Sequence, residues 1–436
     1  MKNILLINPA EADVSKKQRK IAFPSLALQA VAGSFSNAKV KIIDEPINEI
    51  PYDGDYDLVG ITVNMSCKAP HAYELAKRFK ENGKKVILGG IHVSVLPDEA
   101  IRYCDSVVIG EIETLGDQIM DDLESGKLKK IYSSAYPDIN LSKPVRNKSK
   151  EKWKKFYMPN LVETSRGCPN DCSFCSVTKQ YGRKHRTKSI ENILKEIENG
   201  NMKGEIIAFL DNNIAGSPAN YENTKSFFKA LIPYRIKWFG QFDTRIEGDD
   251  ELIHLMAASG CKAAFIGFES LSPIGLESIG KKWNMYEKFS SLCQKLHENG
   301  IGIIGSFIFG LDSDTPNIFK ETVNFAKKNK IEAALFTKLT PLPGTRLFDE
   351  MKKADRLIYK ESDYPNAWRY YDGEHTVFIP KGLSIKELDK GYKWAYKEFY
   401  GSRITPPFLT IIRRCFKFPK LYIPLNLAFW RYARKL

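Results

Sequence analysis

Between residues 161 and 339 six short apolar runs recur: LVETSRG, EIIAFLD, IKWFGQFD, AAFIGFES, IIGSFIFG and AALFTKL. Spans with a helical pattern, such as 189–199, 250–259 and 315–329, separate them. A strand that is apolar along its whole length suits a parallel sheet buried on both faces, and a helix must then return the chain to start the next strand. Six such units are too few for an eight-stranded barrel, so they predict an open, partial (β/α)6 barrel. Ligands of this architecture sit at the C-terminal ends of the strands, where SRGC, LDNN, FES and LTPLPG fall.

The first 125 residues carry a second series: ILLIN, KVKIID, DLVGITV, KKVILGG and SVVIGE. These five strand candidates predict a Rossmann-like, doubly wound parallel sheet. From 126 to 160 the chain turns polar and basic without periodicity and reads as a linker. The α/β reading therefore divides into 1–145, which includes the linker, then 146–350 for the partial barrel, and 351–436 for a separate, mostly helical module. At 436 residues with 43% apolar content, the chain can bury two or three cores.

Within ETSRGCPNDCSFCSV, residues 163–177, Cys168, Cys172 and Cys175 are spaced C-x3-C-x2-C. Eight cysteines in so long a chain do not form a disulfide scaffold. Zinc would want a fourth ligand at a familiar spacing, and the nearest histidine, His185, lies ten residues beyond Cys175 in a basic loop. Three thiolates on a cubane iron–sulfur cluster would leave one iron open for chemistry.

By spacing and position this motif resembles the radical S-adenosylmethionine (SAM) superfamily, with Phe174 as the aromatic before the last cysteine. The resemblance covers about 161–350. It implies that Cys168, Cys172 and Cys175 bind a 4Fe-4S cluster whose fourth iron is chelated by SAM. It also implies reductive cleavage to a 5′-deoxyadenosyl radical, with the electron coming from a donor such as flavodoxin or ferredoxin. No protein nucleophile is required. Asp211 and Asn212, with Asn213, end the second barrel strand and would face the SAM amine or ribose. Glu269 and Ser270 end the fourth. Each has a plainer reading, since Asx residues at strand ends cap the next helix.

Residues 84–113 resemble the cobalamin-binding domain that precedes many radical SAM enzymes. Thr62, Asn64 and Ser66 in TVNMS, with Gly89, Gly90, Gly110 and Glu111, match positions that would line the corrin and its nucleotide tail. The D-x-H-x-x-G motif that supplies a cobalt-ligating histidine is absent, and neither His71 nor His92 sits in such a context. Residues 335–400 resemble the closing domain of a branch that includes the hopanoid methylases. The implied function is a cobalamin-dependent C-methyltransferase acting on an unactivated carbon of a hydrophobic metabolite or lipid. The alternatives are oxidative cyclisation or carbon–carbon coupling, and a non-catalytic sensor that binds nucleic acid.

The net charge of +14 favours anionic partners. Residues 401–436 hold eight Lys/Arg and no Asp/Glu among aromatic and aliphatic residues. Such a segment suits an anionic headgroup layer, and its plainer reading is a packing helix, which Pro419 and Pro424 would interrupt. MKNILLINPA lacks a signal-peptide core, so the expected location is cytoplasmic, with peripheral contact at the inner face of the membrane. Nucleic acid is not an expected partner.

Overall fold

A computed structural model describes residues 1–11, 23–145, 156–401 and 418–436. The N-terminal runs form β1 (Lys2–Asn8), β2 (Ala38–Asp44), β3 (Leu58–Thr62), β4 (Lys85–Gly89) and β5 (Ser106–Gly110), and β6 (Ile131–Ser134) follows. They make one parallel sheet in the order β2-β1-β3-β4-β5-β6. The order reverses between β1 and β3, and a crevice opens there at the C-terminal strand ends. The sixth strand comes from the stretch read as linker. Being an edge strand it buries little beyond Tyr132, so it carries no apolar run to announce it.

The second series forms β7 (Leu161–Val162), a two-stranded antiparallel ribbon of β8 (Ser165–Arg166) and β9 (Arg186–Thr187), then β10 (Ile206–Phe209), β11 (Lys237–Phe242), β12 (Cys261–Glu269), β13 (Gly302–Phe309) and β14 (Ala333–Lys338). Six of these pair as one open parallel sheet, β14-β13-β12-β11-β10-β7. This is the expected partial barrel beside a doubly wound sheet.

The expected C-terminal module is mostly helical, but it does not stand apart. Helix Ile385–Tyr400, opened by a Ser384/Glu387 capping box, lies on β14. Its Tyr396 and Tyr400 hydroxyls donate to the Phe336 and Ala334 carbonyls at 2.9 and 2.8 Å, which satisfies part of the open sheet edge. Trp368, Tyr371 and Val377 are buried in the core of the first domain. The segment thus ties the two sheets together.

The described half of the basic tail is helix Pro419–Lys435. Pro419 occupies its first turn, where a missing N–H costs nothing, and the helix runs on through Pro424, contrary to the expected interruption. Leu421 and Tyr422 pack with Phe418, Met158, Leu161 and Ile206 at the N-terminal ends of the barrel strands. Asn426 donates to the Glu332 carbonyl at 3.2 Å. This half of the tail therefore follows the plainer reading, a packing helix that floors the barrel. The FLTII stretch lies outside the described residues. Among the described residues no helix is long and apolar enough to cross a membrane.

Candidate functional site

The cysteine loop is fixed at both ends by main-chain hydrogen bonds. Cys168 N donates to the Gly182 carbonyl at 3.3 Å, Ser173 N to Ile279 O at 3.0 Å, and Leu347 N to Ser173 O at 2.9 Å. Gly167 needs a positive φ of 84°, where an added Cβ would also meet the Lys184 carbonyl. All three thiols are free and partly exposed. Burial raises their pKa values, that of Cys172 to about 12; neighbouring thiols and Glu269 add to the effect at Cys172 and Cys175 and Asp243 at Cys168, while Lys281 opposes it at all three. Three sulfurs that oppose one another's ionisation are a donor set waiting for cationic iron. Among the described residues no group of three or more His, Cys, Asp or Glu side chains, the three cysteines included, is drawn together as tightly as a single bound ion would require.

A cavity of about 450 Å³ faces this loop. Phe174 and Ser176 bound it on one side, Gln241, Phe265, Gly267, Glu269, Ser306 and Thr337 line it from the strands, and Asn64, Ser66 and His92 come from the first domain. A second cavity, of about 600 Å³, lies in the crevice of the first sheet. Gly60, Thr62, Gly89, Gly90, Gly110 and Glu111 line its strand-end wall. Asn64 and Met65 belong to both cavities.

The structure thus brings Thr62, Asn64, Ser66, Gly89, Gly90, Gly110 and Glu111 to these walls. Gly90 has φ 107°, and an added Cβ would lie 2.8 Å from both the Asn64 side-chain oxygen and the Val63 carbonyl. Gly90→Ala is expected to cost about 1–3 kcal/mol and, by displacing Asn64, to weaken cobalamin binding ~tenfold in a spectrophotometric titration. Glu111 lines the crevice, yet its carboxylate is held by Arg166 at 2.5 Å and by Arg186.

Glu269 also reaches the first cavity. A bulge between Gly267 and Glu269, with Glu269 at φ 64°, turns its carboxylate onto Lys281 at 2.6 Å. Ser270 is buried, lines neither cavity and accepts from Ser272 N at 3.1 Å, capping the turn. Asn212 lines neither cavity. Asp211 is placed differently from expectation. One of its oxygens accepts from Thr164 N and Oγ1 at 3.0 and 2.9 Å and from both Ser165 donors, so it pins the strand that leads into Cys168. Burial raises its pKa to about 6, against the pull of those donors. Asp211→Asn, which keeps an acceptor, is expected to change stability by less than ~1 kcal/mol, whereas Asp211→Ala orphans buried donors and should cost about 2–3 kcal/mol in urea denaturation.

Residues 162–326 match the radical SAM superfamily model and residues 19–119 the B12 binding domain model. The chain is 31% identical, over 92% of its length and 88% of the relative's, to bacteriochlorophyllide d C-12(1)-methyltransferase of Chlorobaculum tepidum. It is a cobalamin-binding radical SAM enzyme. Hopanoid C-2 methylase of Rhodopseudomonas palustris is 24% identical over 84% of the chain and 72% of the relative. The solved structure of the radical SAM methyltransferase TsrM from Kitasatospora setae, with cobalamin and a [4Fe-4S] cluster bound, superposes with a TM-score of 0.69 at 15% identity, covering 100% of this chain and 99% of that one.

The radical SAM enzyme uses a 4Fe-4S cluster, SAM and cobalamin, and the residues present fit all three. Cys168, Cys172 and Cys175 would hold the cluster, and the cavity beyond them leaves room for SAM. The glycine-lined crevice would take the cobalamin tail. His71 Nε2 lies 2.8 Å from Glu45, while His92 contacts Ser66 through Nδ1 and Glu99 through Nε2.

Several residues escaped sequence reasoning. Lys281 sits in a polar turn twelve positions past its partner Glu269, and nothing in GKKWN marks it as a cluster neighbour. Arg166 did lie beside the motif, two residues before Cys168, but nothing local marks it as the buried partner of Glu111 and Glu113.

Proposed function

We propose that this enzyme methylates an unactivated carbon of a hydrophobic, ring-bearing small molecule. The observation that carries the reading is the position of the 450 Å³ cavity, which lies between the cysteine loop and the segments that follow β3 and β4 of the first sheet and is walled by both. Its walls include Met65, Ile91, Phe265, Ile308, Leu342 and Tyr371, a lining suited to the apolar face of a reactant brought up beside SAM. The relatives named for bacteriochlorophyllide and hopanoid methylation, both bulky polycycles by name, support the same class.

When bound, the cluster with SAM supplies a radical that removes hydrogen from carbon, and cobalamin supplies the methyl group. The chain's own task is positioning. Gln241, Ser306 and Thr337 offer polar contacts from three adjacent strands, and the Glu269–Lys281 pair places one fixed carboxylate at the cavity wall. Apolar walls exclude bulk water and strengthen the polar contacts that orient the reactant. An acidic one-electron carrier such as flavodoxin or ferredoxin is the proposed donor, and the part of the basic tail beyond the floor helix is the proposed site of any membrane contact.

The test is anaerobic turnover of the reconstituted enzyme with SAM and a low-potential reductant, offering bacteriochlorophyllide d and a hopanoid in turn. The expected result is 5′-deoxyadenosine and S-adenosylhomocysteine in equal amounts with an acceptor heavier by one methyl group. Deoxyadenosine with an unmethylated, oxidised acceptor would replace this reading with cyclisation or coupling.

A further inference from the structure

The short helix Val177–Tyr181 begins two residues after Cys175, and its two ends face different cavities. Ser176, its N-cap, borders the cavity beside the cysteine loop, whereas Gln180 lines the crevice of the first sheet. Gln180 N donates to the Ser176 carbonyl at 3.2 Å, so the two positions stand one helical turn apart, about 6 Å along the axis. Just past the helix, the Gly182 carbonyl accepts from Cys168 N at 3.3 Å. The helix is thus tied to the cysteine loop twice, through the chain to Cys175 and through this bond to Cys168.

Gln180 is only 5% exposed. Its Nε2 donates to the Gly110 carbonyl at 3.2 Å, which fixes the amide's orientation, because the flipped amide would set two carbonyl oxygens against each other. Its Oε1 is buried and has no hydrogen-bond donor among the described residues. Charged groups that share the crevice wall are already spent, since Arg166 is held by Glu111 at 2.5 Å and by Glu163 at 2.9 Å. A buried amide oxygen without a donor costs the desolvation of that oxygen, so one set in the wall of a ligand crevice marks a contact that the ligand completes.

We propose that Gln180 Oε1 accepts a hydrogen bond from a rim carboxamide of bound cobalamin, which makes Gln180 a positioning residue that keys the corrin to the cysteine loop. The type of donor follows from valence. An amide oxygen only accepts. The phosphate of the nucleotide tail likewise offers acceptors alone, whereas the corrin rim carries primary carboxamides whose N–H groups donate.

Both sides of this contact are stiff. On the first sheet, Gly110 donates through its N–H to Ser94 Oγ at 3.1 Å and has φ 83°, with the Ser134 carbonyl 2.6 Å from where a Cβ would stand. On the barrel, a single helical turn separates Gln180 from Ser176 at the first cavity. A carboxamide held at Gln180 is thereby held relative to Cys168 and Cys175. A corrin that shifts in the crevice must carry the cysteine loop with it or break the bond.

The experiment is spectrophotometric titration of the full-length protein with two corrinoids that both lack the nucleotide tail. Cobinamide keeps the rim carboxamides, and cobyrinic acid heptamethyl ester replaces every one of them with an ester that has no N–H. Gln180→Met, of nearly the same volume, is expected to weaken cobinamide about tenfold, the worth of one hydrogen bond, and the ester less than ~twofold. Equal weakening of both corrinoids would reduce Gln180 to a support for Gly110 and overturn the contact, and so would an unchanged affinity for cobinamide. In the wild type, equal affinity for the two corrinoids overturns it without recourse to any variant. Because neither SAM nor a methyl acceptor is present, failure here leaves the methyltransferase reading standing.

Discussion

Replacing Cys172 with alanine is expected to leave a folded protein that still takes up cobalamin and forms no 5′-deoxyadenosine. The loss should exceed ~10²-fold, since even outer-shell partners of a metal site are worth that much. The reason lies in the donor set. Two thiolates cannot retain a cubane with one open iron, and the carboxylate that bears on Cys172, Glu269, is already committed to Lys281. Cys168→Ala and Cys175→Ala should behave alike. The crevice that would take cobalamin lies in another sheet and draws none of its lining from the three cysteines, so its occupancy should be unchanged. Iron content, absorbance of bound cobalamin and deoxyadenosine by mass spectrometry separate these effects. Deoxyadenosine at wild-type rate in any of the three variants would remove the cluster from this loop.

Arg166→Met is expected to be the most destabilising substitution outside the cysteine loop, costing about 3–5 kcal/mol. The side chain is 7% exposed and holds Glu111 at 2.5 Å, Glu113 at 2.7 Å and Glu163 at 2.9 Å, with Arg186 as a second cation on Glu111. Two guanidinium groups thus serve three carboxylates drawn from both sheets. Without Arg166, the buried Glu113 carboxylate and the partly buried Glu163 lose the guanidinium that neutralises them. The sign of the pH dependence follows. Burial alone would raise the Glu113 carboxyl, but Arg166 outweighs it and holds the group below its usual range. In the wild type this stabilisation is present above the unfolded carboxylate pKa and is lost as pH falls through the lower folded value. In the variant the unpaired carboxylates rise instead, so the deficit should shrink as pH is lowered. Urea denaturation at pH 7 and pH 5 checks this, and a deficit that is equal at both would mean that the network contributes packing and little electrostatics.

How much of this was legible depends on what each element buries. The strands inside both sheets bury nearly every side chain, as in ILLI at positions 4–7, and so advertise themselves as apolar runs. The cysteine spacing was equally plain, because cluster ligation is local in sequence. Edge elements were obscure. β6 shows one buried tyrosine, and helix Ile385–Tyr400 covers its edge strand with a face on which Tyr392, Tyr396 and Tyr400 stand beside Leu388, Ala395 and Phe399. Asp211 was misplaced because its partners Thr164 and Ser165 lie almost fifty positions upstream, and an Asp at a strand end looks the same whether it faces a ligand or a neighbouring main chain. The buried contacts of His92 with Ser66 and Glu99, and of Glu99 with Trp368, join positions 66, 92, 99 and 368, a separation that no local pattern can show.

The helix that floors the barrel also governs traffic. With Leu421 and Tyr422 filling the N-terminal mouth of the strands, a bulky reactant cannot pass through the barrel axis. Entry and exit are left to the seam between the two sheets, where Trp368 is fastened to Glu99 and Arg166 to Glu111 and Glu113. Each catalytic cycle would then begin and end with a breathing of that seam. The slow step of turnover need not be radical chemistry at all, and a viscous solvent or a cross-link across the seam should throttle the enzyme while leaving its cofactors untouched.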